Sequence, residues 1–344
     1  DVVSNGAPAK PFHAPGAPVA LFALESAVDE LAARHQRDPI DLRLGWDPRP
    51  SRRAVYEWAA AHSMWADRPH QHDDATTLRG VGVAFGTWHF AYDPTTRVRV
   101  ATTDAGLIAE TATQEIGTGT THSIATAVAG EFGLSPSDVL VRIGDSDFGH
   151  GPTTSASRTT PSLVPTAAAA AAELRDGLVR YASENLGFEG ATARTGGIDH
   201  AGEFIPWADL WPRLQGRSVT RKRPREEHVP VTPIPIEGAK LGWGITDAAH
   251  IVTVEVDRAT GTVRAVDAAA ALAAGEIHTP PQAVSQVHGA FARGIGQALL
   301  EQRIMDPTTG VVTSASYDEY RLLRMSEMPA IDVTFLEDRY RYTP

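Results

Sequence analysis

A short glycine-containing segment, Glu115-Ile116-Gly117-Thr118-Gly119-Thr120-Thr121-His122, has the composition of a site that binds an anion. Two glycines separated by one residue allow the backbone to turn sharply and to approach a ligand closely. The helix predicted behind them offers unpaired backbone N–H groups and the positive end of its dipole, which together suit a phosphate or pyrophosphate. The alternative is an ordinary helix start that is capped by Thr120 or Thr121.

A second candidate segment is rich in hydroxyl side chains and runs from Gly151 to Thr160. Its centre, Ser155-Ala156-Ser157-Arg158-Thr159-Thr160, combines small side chains, which leave room for a bulky polar ligand, with short hydrogen-bond donors and acceptors. The Arg158 guanidinium could neutralise a phosphate. The alternative is a flexible Ser/Thr loop without a ligand.

The third candidate is Gln286, near the start of a predicted helix whose glycines allow close packing against another backbone. Its amide could point into a site, or it is an ordinary surface residue. The sequence contains no HxxxH or HExxH motif, no GxSxG elbow, no P-loop and no GxGxxG segment. Interpretations as a zinc-binding, hydrolase, phosphate-loop or Rossmann protein therefore lack support.

The elements that position these candidates follow from hydrophobic periodicity. The first part of the chain predicts a helix from Pro18, then a short helix and a surface loop over 46–78. The middle part predicts a strand around Val83, a hairpin of 97–103 with 106–113, a helix over His122–Glu131, a strand over Asp138–Gly144, a loop to Pro165 and a helix over Thr166–Asn185. After a linker over 217–237, the last part predicts a hairpin of 250–256 with 262–270, a helix from about Gln282 to Gln302, a turn over 306–310 and a strand over Ile331–Leu336.

Each half of the chain thus contains a hairpin, then a loop, then a helix. This order predicts an α+β fold made of two pseudo-duplicated β-hairpin–loop–helix subdomains. We place the first subdomain at 46–216 and the second at 217–344, with residues 1–45 packing at their interface.

Composition narrows the function classes. The 344 residues carry a formal net charge of −11, which opposes binding to nucleic acid or to an anionic membrane surface. The chain has no cysteine, so disulfides and cysteine-ligated iron–sulfur clusters cannot form within it, and a cytoplasmic location fits. No apolar stretch approaches the ~20 residues of a membrane span. The N-terminus lacks signal-peptide character, and we expect it to be an internal part of a longer polypeptide.

Taken in order, the segments resemble the C-terminal part of the molybdopterin subunit of the xanthine dehydrogenase, aldehyde oxidase and carbon monoxide dehydrogenase family of molybdenum hydroxylases. The matching residues are Lys10–Gly16, Phe22, Glu25, Asp29, Asp38–Arg43, Arg79–Gly82, Gly117–Thr121, Gly144–Asp147, Ser155–Thr160, Val254–Gly261 and Gln286–Ala298. The resemblance covers nearly the whole chain.

The resemblance implies a molybdenum–molybdopterin cofactor, in some members extended to a cytosine dinucleotide, with no metal ligand from the protein. Gly117, Thr118, Gly119 and Thr120 would line the pterin or its pyrophosphate, and the Ser155–Thr160 segment would border the pterin and the metal pocket. Gln286 would form a hydrogen bond near the metal's ligands. Iron–sulfur centres and FAD would be carried by partner chains. The two subdomains would both bind molybdopterin.

Three departures from the family pattern stand out. His13 replaces an arginine near the substrate pocket, which makes His13 a candidate pocket residue, and Thr118 replaces a glutamine that reaches the cofactor. The glutamate that acts as catalytic base in the family belongs to a Gly-x-Gly-Glu segment beyond the final predicted strand, and the sequence contains no such segment there. No catalytic residue is therefore assigned.

We predict a molybdopterin-binding subunit or fragment of a molybdenum hydroxylase that oxidises an aldehyde or an N-heterocycle with a water-derived oxygen. A partner chain would carry the other half of the cofactor site, and a small molecule would be the substrate. Two alternatives remain open. One is a non-catalytic homologue that acts as a scaffold or binding protein, and the other is an enzyme of this fold that no longer uses molybdenum.

Overall fold

A computed structural model describes residues 13–68, 72–73, 76–224, 231–233 and 240–336 of the chain, with side chains described except at 72–73, 231–233 and 240–243. The beginning of the matching stretch Lys10–Gly16 and about half of the predicted linker, 225–230 and 234–237, lie outside these residues. No helix in this part of the chain combines the length and the apolar character needed to cross a lipid bilayer.

The described residues form an α+β arrangement, as predicted. The helices are α1 (Ala17–Arg34), α2 (Pro39–Trp46), α3 (Pro50–Ala61), α4 (Ser63–Ala66), α5 (Thr120–Phe132), α6 (Thr159–Asn185), α7 (Trp207–Leu214) and α8 (Pro280–Leu299). The strands are β1 (His72–Asp73), β2 (Thr77–Tyr92), β3 (Arg97–Thr102), β4 (Leu107–Thr111), β5 (Val139–Ile143), β6 (Thr192–Arg194), β7 (Gly197–His200), β8 (Glu203–Pro206), β9 (Ser218–Lys222), β10 (Val231–Pro233), β11 (Lys240–Asp257), β12 (Val263–Ala273) and β13 (Ala330–Phe335).

The chain divides into two compact units. The flanking unit draws its described residues from Asp1–Trp88, Thr246–Ile277 and Ala283–Thr343, and the inserted unit draws them from His89–Ile245 and His278–Gln282. These boundaries come from compactness alone and differ from the two predicted subdomains, 46–216 and 217–344. That each predicted subdomain binds molybdopterin stays a prediction.

The flanking unit is built on a sheet with the strand order β1-β2-β11-β12-β13, in which β10 also pairs with β11. Strands β11 and β12 form the predicted hairpin, and β13 runs parallel to β12. The short helix predicted at the start of 46–78 is confirmed as α3, whose Tyr56 is buried with Val55 and Phe85. The surface loop predicted after it is wrong at α4, because Trp65 is buried in the same core. Both aromatic side chains face that core, and Glu57 and Ser63 between them are exposed.

Two of the residues that match the family pattern, Glu25 and Arg43, form a buried ion pair in the flanking unit. The Arg43 guanidinium donates to the Glu25 carboxylate at 2.7 Å, and the backbone N–H of Phe85 donates to the same oxygen at 2.8 Å. The guanidinium also lies over the Phe85 ring, 5.0 Å from its centroid. A buried charge needs such a partner, so the contacts of Glu25, Arg43 and Phe85 hold α1, α2 and β2 together.

The inserted unit contains a sheet with the strand order β5-β4-β3-β9. Helices α5 and α6 contribute small buried residues to its core, among them Ala125, Ala129, Ala167 and Ala171. Strand β9 falls within the predicted linker, so that prediction is wrong here: Ser218–Lys222 pairs antiparallel with β3. Its partner strand lies more than a hundred residues away in sequence, and local composition gave no sign of the pairing.

The predicted pseudo-duplication is visible in the order of the elements. In the inserted unit the β3–β4 hairpin leads to α5 and then to β5, which runs parallel to β4. The β11–β12 hairpin leads likewise to α8 and then to β13, parallel to β12.

Helix α6 begins at Thr159, although the sequence predicted a loop as far as Pro165 and a helix from Thr166. Pro165 has no N–H to give, so it leaves the carbonyl of Pro161 without its helical donor. Arg223 supplies one, because its Nε donates to that carbonyl at 2.6 Å while the buried guanidinium stacks on Tyr92. The helix therefore runs through a proline that would otherwise interrupt it.

Candidate functional site

The glycine segment connects β4 to α5 in the inserted unit. Gly117 and Gly119 have φ values of 89° and 78°, a left-handed conformation that favours glycine, so the predicted sharp bend is confirmed. Gly119 occupies the position before the first helical residue of α5, and no side chain at that position caps the helix. Thr120 is buried, and Thr121 follows it in the first turn.

The backbone amides of this bend are held by a carboxylate of the same segment. One oxygen of Glu115 accepts from Gly117 and Thr118, both at 2.9 Å, and from Gly119 at 3.2 Å. The other oxygen accepts from the N–H of Thr121 at 3.0 Å. Glu115 therefore occupies the anion position of these amides in this structure, and the binding of a phosphate by Gly117, Thr118, Gly119 and Thr120 stays a prediction.

The surroundings of Glu115 keep its side chain ionised. Burial by itself raises the pKa of the Glu115 carboxyl, but hydrogen bonds from the four backbone N–H groups outweigh it and hold the pKa below its ordinary value. A charged carboxylate also interacts favourably with the positive end of the α5 dipole. Glu115 is thus the group that fixes the glycine bend, and sequence reasoning missed it.

The hydroxyl-rich segment forms a tight turn before α6. The N–H of Arg158 donates to the Ser155 carbonyl at 3.3 Å, and Ala156 and Ser157 between them have φ values of 54° and 51°. Such left-handed residues cost about 1–2 kcal/mol each. Thr159 and Thr160 do not belong to this turn, because they form the beginning of α6.

The Arg158 side chain bends back onto its own segment. Its Nε donates to the Thr153 carbonyl at 2.9 Å, and its Nη2 donates to the Ser155 hydroxyl at 3.1 Å. The guanidinium is thus already bonded to neutral acceptors, and it stabilises the turn that precedes α6. The predicted contact of Arg158 with a phosphate stays a prediction.

The glycine and hydroxyl segments lie side by side, because hydrogen bonds join the residues at their bases. The Thr154 N–H donates to the Gln114 side-chain oxygen at 3.1 Å, and the Thr154 hydroxyl donates to the Gln114 carbonyl at 2.9 Å. The Thr113 hydroxyl donates to the Pro152 carbonyl at 3.1 Å. The structure therefore brings the two predicted segments together in one compact unit.

A glutamine that the sequence did not single out lies against the glycine bend. Gln282, in the first turn of α8, has a buried side-chain oxygen with no hydrogen-bond partner among the described residues. A Cβ atom added to Gly119 would lie 3.0 Å from the Gln282 Cγ, which is closer than an ordinary contact. A larger residue at position 119 would therefore displace the glutamine side chain. The pair of prolines that begins α8 marked the helix start, but nothing in the sequence indicated this contact.

The other candidates lie in the flanking unit. Gln286 is exposed on α8. His13 is exposed as well, and partial desolvation together with the positive charge of Arg293 lowers its pKa, which favours the neutral imidazole. Among the residues that the structure describes, no group of three or more His, Asp or Glu side chains is arranged to hold a metal ion.

Comparison with known proteins identifies relatives along nearly the whole chain. A family model described as "Molybdopterin cofactor-binding domain" matches residues 58–329. The aldehyde oxidoreductase molybdenum-binding subunit PaoC of Escherichia coli K12 is 30% identical over 95% of this chain and 45% of its own length. The putative xanthine dehydrogenase molybdenum-binding subunit XdhA of the same strain is 24% identical over 94% of this chain and 46% of its own length.

Solved structures show the same fold. The CO dehydrogenase of Oligotropha carboxidovorans superposes with a TM-score of 0.73 at 19% identity, over 93% of this chain and 44% of that one. Quinoline 2-oxidoreductase of Pseudomonas putida 86 also gives a TM-score of 0.73, at 17% identity, over 94% of this chain and 45% of its own. The chain thus spans about half the length of the curated relatives that it matches.

Proposed function

Because the chain belongs to the molybdopterin cofactor-binding domain family, we propose that it forms one part of the cofactor site of a molybdenum hydroxylase. Its relatives are named for aldehydes, xanthine and quinoline. We therefore propose that the complete enzyme oxidises an aldehyde or an N-heterocycle. The molybdenum–molybdopterin cofactor, when bound, supplies the redox chemistry, and the residues of this chain bind and orient it.

The observation that carries this proposal is the unpartnered Gln282 oxygen beside the glycine bend. Buried polar atoms in folded proteins almost always have a hydrogen-bond partner, and leaving one without costs about 1–3 kcal/mol. A pterin carries ring and exocyclic N–H groups that can donate to such an oxygen. Gln282 is therefore the residue of this chain that best fits the cofactor, with Gly119 leaving the space.

The remaining contacts are proposed from the two paired segments. The exposed hydroxyls of Ser155 and Ser157 offer donors and acceptors to a polar ligand, and the Thr118 side chain is exposed on the glycine bend. Backbone amides have no part in this proposal, because Glu115 holds them. Glu115 instead fixes the bend that presents Thr118 and leaves room for Gln282.

The composition of the whole enzyme is also a proposal. We propose that a second polypeptide region completes the cofactor site, and that iron–sulfur and flavin groups are carried by partner chains in the cytoplasm. The absence of cysteine is consistent with this, since iron–sulfur clusters are held by cysteine thiolates. A cofactor extended to a cytosine dinucleotide would need a further polar surface, which we place on the partner region.

The test is the cofactor content of the native assembly. We expect close to one molybdenum per chain by elemental analysis, together with the fluorescent oxidation product of the pterin. Gln282→Met removes one hydrogen bond, which contributes about 0.5–1.5 kcal/mol. We therefore expect this variant to bind the cofactor up to about tenfold more weakly. Gln297→Met, at an exposed position of the same helix, is the matched control and should retain full occupancy.

A native assembly that lacks both molybdenum and pterin would refute the proposed function. Full cofactor occupancy in Gln282→Met would show that Gln282 does not bind the cofactor, and the proposed function would still stand. The two results are distinguishable because the first is measured on the wild-type assembly and the second on the variant.

Two observations favour the alternative of a non-catalytic scaffold. Glu115 already fills the amide position of the glycine bend, and Arg158 is bonded to its own segment. In a scaffold, Arg158→Ala would lower stability only. In an enzyme it would also lower cofactor content, because the turn that carries Ser155 and Ser157 would loosen. Measuring both quantities on that variant separates the two functions.

A further inference from the structure

The flanking unit exposes a group of large apolar side chains between α8 and β13. These residues, which we name the 304–325 surface, are Ile304, Met305, Val311, Tyr317, Leu322 and Met325. Tyr317 is 86% exposed, Met325 is 89% exposed and Val311 is 59% exposed. We propose that this surface binds the polypeptide region that corresponds to the other half of the molybdenum-binding subunit. The inference rests on the proposed function, because it names the surface through which that half joins this one.

The 304–325 surface is held in place by specific hydrogen bonds. Met305 and Val312 form an antiparallel bridge, and the turn between them is closed by Asp306, whose carboxylate accepts from the N–H of Thr309 at 2.9 Å. The Ile304 N–H donates to the Ser314 hydroxyl at 2.9 Å. These bonds order the turn that carries Ile304, Met305 and Val311.

A second contact anchors the centre of the segment. The Tyr320 hydroxyl donates to the Glu301 carboxylate at 2.6 Å, and this bond raises the pKa of the tyrosine. A concavity of about 370 Å³ lies beside it, lined by Ser314, Ala315, Ser316, Tyr317 and Tyr320. A partner side chain of ordinary size fits such a concavity, and exposed tyrosine is a frequent anchor in protein interfaces.

The amount of exposed apolar surface indicates a protein partner. A contiguous apolar patch larger than a few hundred Å² is rare on a soluble monomer, and aromatic side chains alone bury about 150–250 Å² each. Exposed apolar side chains of the inserted unit, such as Leu140 and Phe204, lie on separate strands. The six residues of the 304–325 surface instead lie within one stretch of the sequence, parts of which are ordered by the hydrogen bonds described above.

The lengths of the relatives identify the occupant. This chain matches the E. coli PaoC subunit over 95% of itself but only 45% of that subunit, so more than half of the relative's polypeptide has no counterpart here. In a folded subunit that remainder must pack against the part that matches. An ordered apolar surface on the matching part is the physical requirement for such packing.

Hydrogen exchange followed by mass spectrometry tests the proposal. The 344-residue chain is measured alone and in the assembly purified from its native source. We expect peptides that cover 304–325 to exchange at least tenfold more slowly in the assembly. Peptides around Leu140 should exchange at the same rate in both samples. Unchanged exchange over 304–325 would overturn the proposal.

A pair of variants gives a second, independent measurement. The matching part and the remaining subunit region are expressed as two separate polypeptides. Tyr317→Asp combined with Met325→Asp places charges on the surface, and we expect at least tenfold less of the remaining region, identified by its peptide sequences, to stay bound. Leu140→Asp, at an apolar position of the inserted unit that is 55% exposed, is the control. Because the changed residues are exposed, the melting temperature of the chain alone should stay within about 2 °C of wild type, consistent with surface substitutions of ±0.5 kcal/mol.

The outcomes separate this proposal from the proposed function. Full association of the double variant overturns the docking surface. Slower exchange caused by a second copy of this chain, shown by a homodimer mass, overturns it as well. An assembly that contains the other half but no molybdenum or pterin supports the surface and refutes the cofactor function.

Discussion

Replacing Glu115 with alanine removes the acceptor that holds the bend before α5. Four backbone N–H groups lose a carboxylate at 2.9–3.2 Å. Gly117, Thr118 and Thr121 are exposed and Gly119 is partly exposed, so water can replace the carboxylate at these N–H groups. Loss of a helix N-cap costs about 1 kcal/mol, and loss of a negative charge at a helix N-terminus costs about 0.3–1 kcal/mol. We therefore expect Glu115→Ala to lower the free energy of unfolding by about 1–2 kcal/mol.

Thermal unfolding followed by circular dichroism measures this change. In a folding unit of about 150–250 residues, each kcal/mol corresponds to a shift of about 2–4 °C in the melting temperature. Glu184→Ala, at an exposed position of α6 in the same unit, is the control and should leave the melting temperature unchanged. Equal melting temperatures for Glu115→Ala and wild type would refute the assigned role of the carboxylate.

The same variant makes a prediction about pH. The pKa of Glu115 is lower in the folded chain than in the unfolded chain, so its contribution to stability is complete above the unfolded pKa. The contribution is lost as the pH falls from there through the lower folded pKa. The difference in stability between wild type and Glu115→Ala should therefore be largest near neutral pH and shrink in acid. A difference that grows in acid would contradict the linkage argument.

Three further predictions concern particular contacts. Gly119→Ala should destabilise the chain by about 1–2 kcal/mol in urea unfolding, because φ is 78° and the new Cβ meets a neighbouring side chain. Arg223→Ala should lower the free energy of unfolding of the wild-type chain by about 1–3 kcal/mol. In a Pro165→Ala background the loss should be clearly smaller, because alanine restores the helical N–H donor to the Pro161 carbonyl. A double-mutant cycle that shows no coupling between the two positions would refute the role of Arg223. Burial lowers the pKa of His250 to about 4. The free energy of unfolding in urea should therefore fall by up to about 3 kcal/mol as the pH drops from about 6.5 to about 4. His250→Phe should remove this decrease in stability.

The hairpins could be predicted from the sequence because their signals are local. The turn between β11 and β12 has an aspartate whose carboxylate accepts from Thr260 N–H, and Gly261 takes a left-handed φ of 70°. The turn of the 304–325 surface repeats this pattern with Asp306 and Gly310. Both aspartate–glycine spacings are visible in the sequence.

What the sequence missed depends on contacts between distant residues. The start of α6 was placed too late because the donor that tolerates Pro165 comes from Arg223, far along the chain. Strand β9 was taken for a linker because its partner strand is equally remote. At the candidate site the two segments were found from their composition. The partner of the glycine bend was not, because a glutamate two residues before a glycine gives no sign of where its carboxylate points.

The position of the inserted unit within the chain has a consequence for synthesis on the ribosome. Strand β2 pairs with β11 in the flanking unit, and about 150 residues separate the end of one from the start of the other. At about 5–20 residues per second, β2 waits roughly 7–30 s for its neighbour to be made. During that interval the inserted unit has all of β3 to β9 available, while β2 exposes an open strand edge to other nascent chains. Slowed translation should therefore raise aggregation of this protein through β2 in particular.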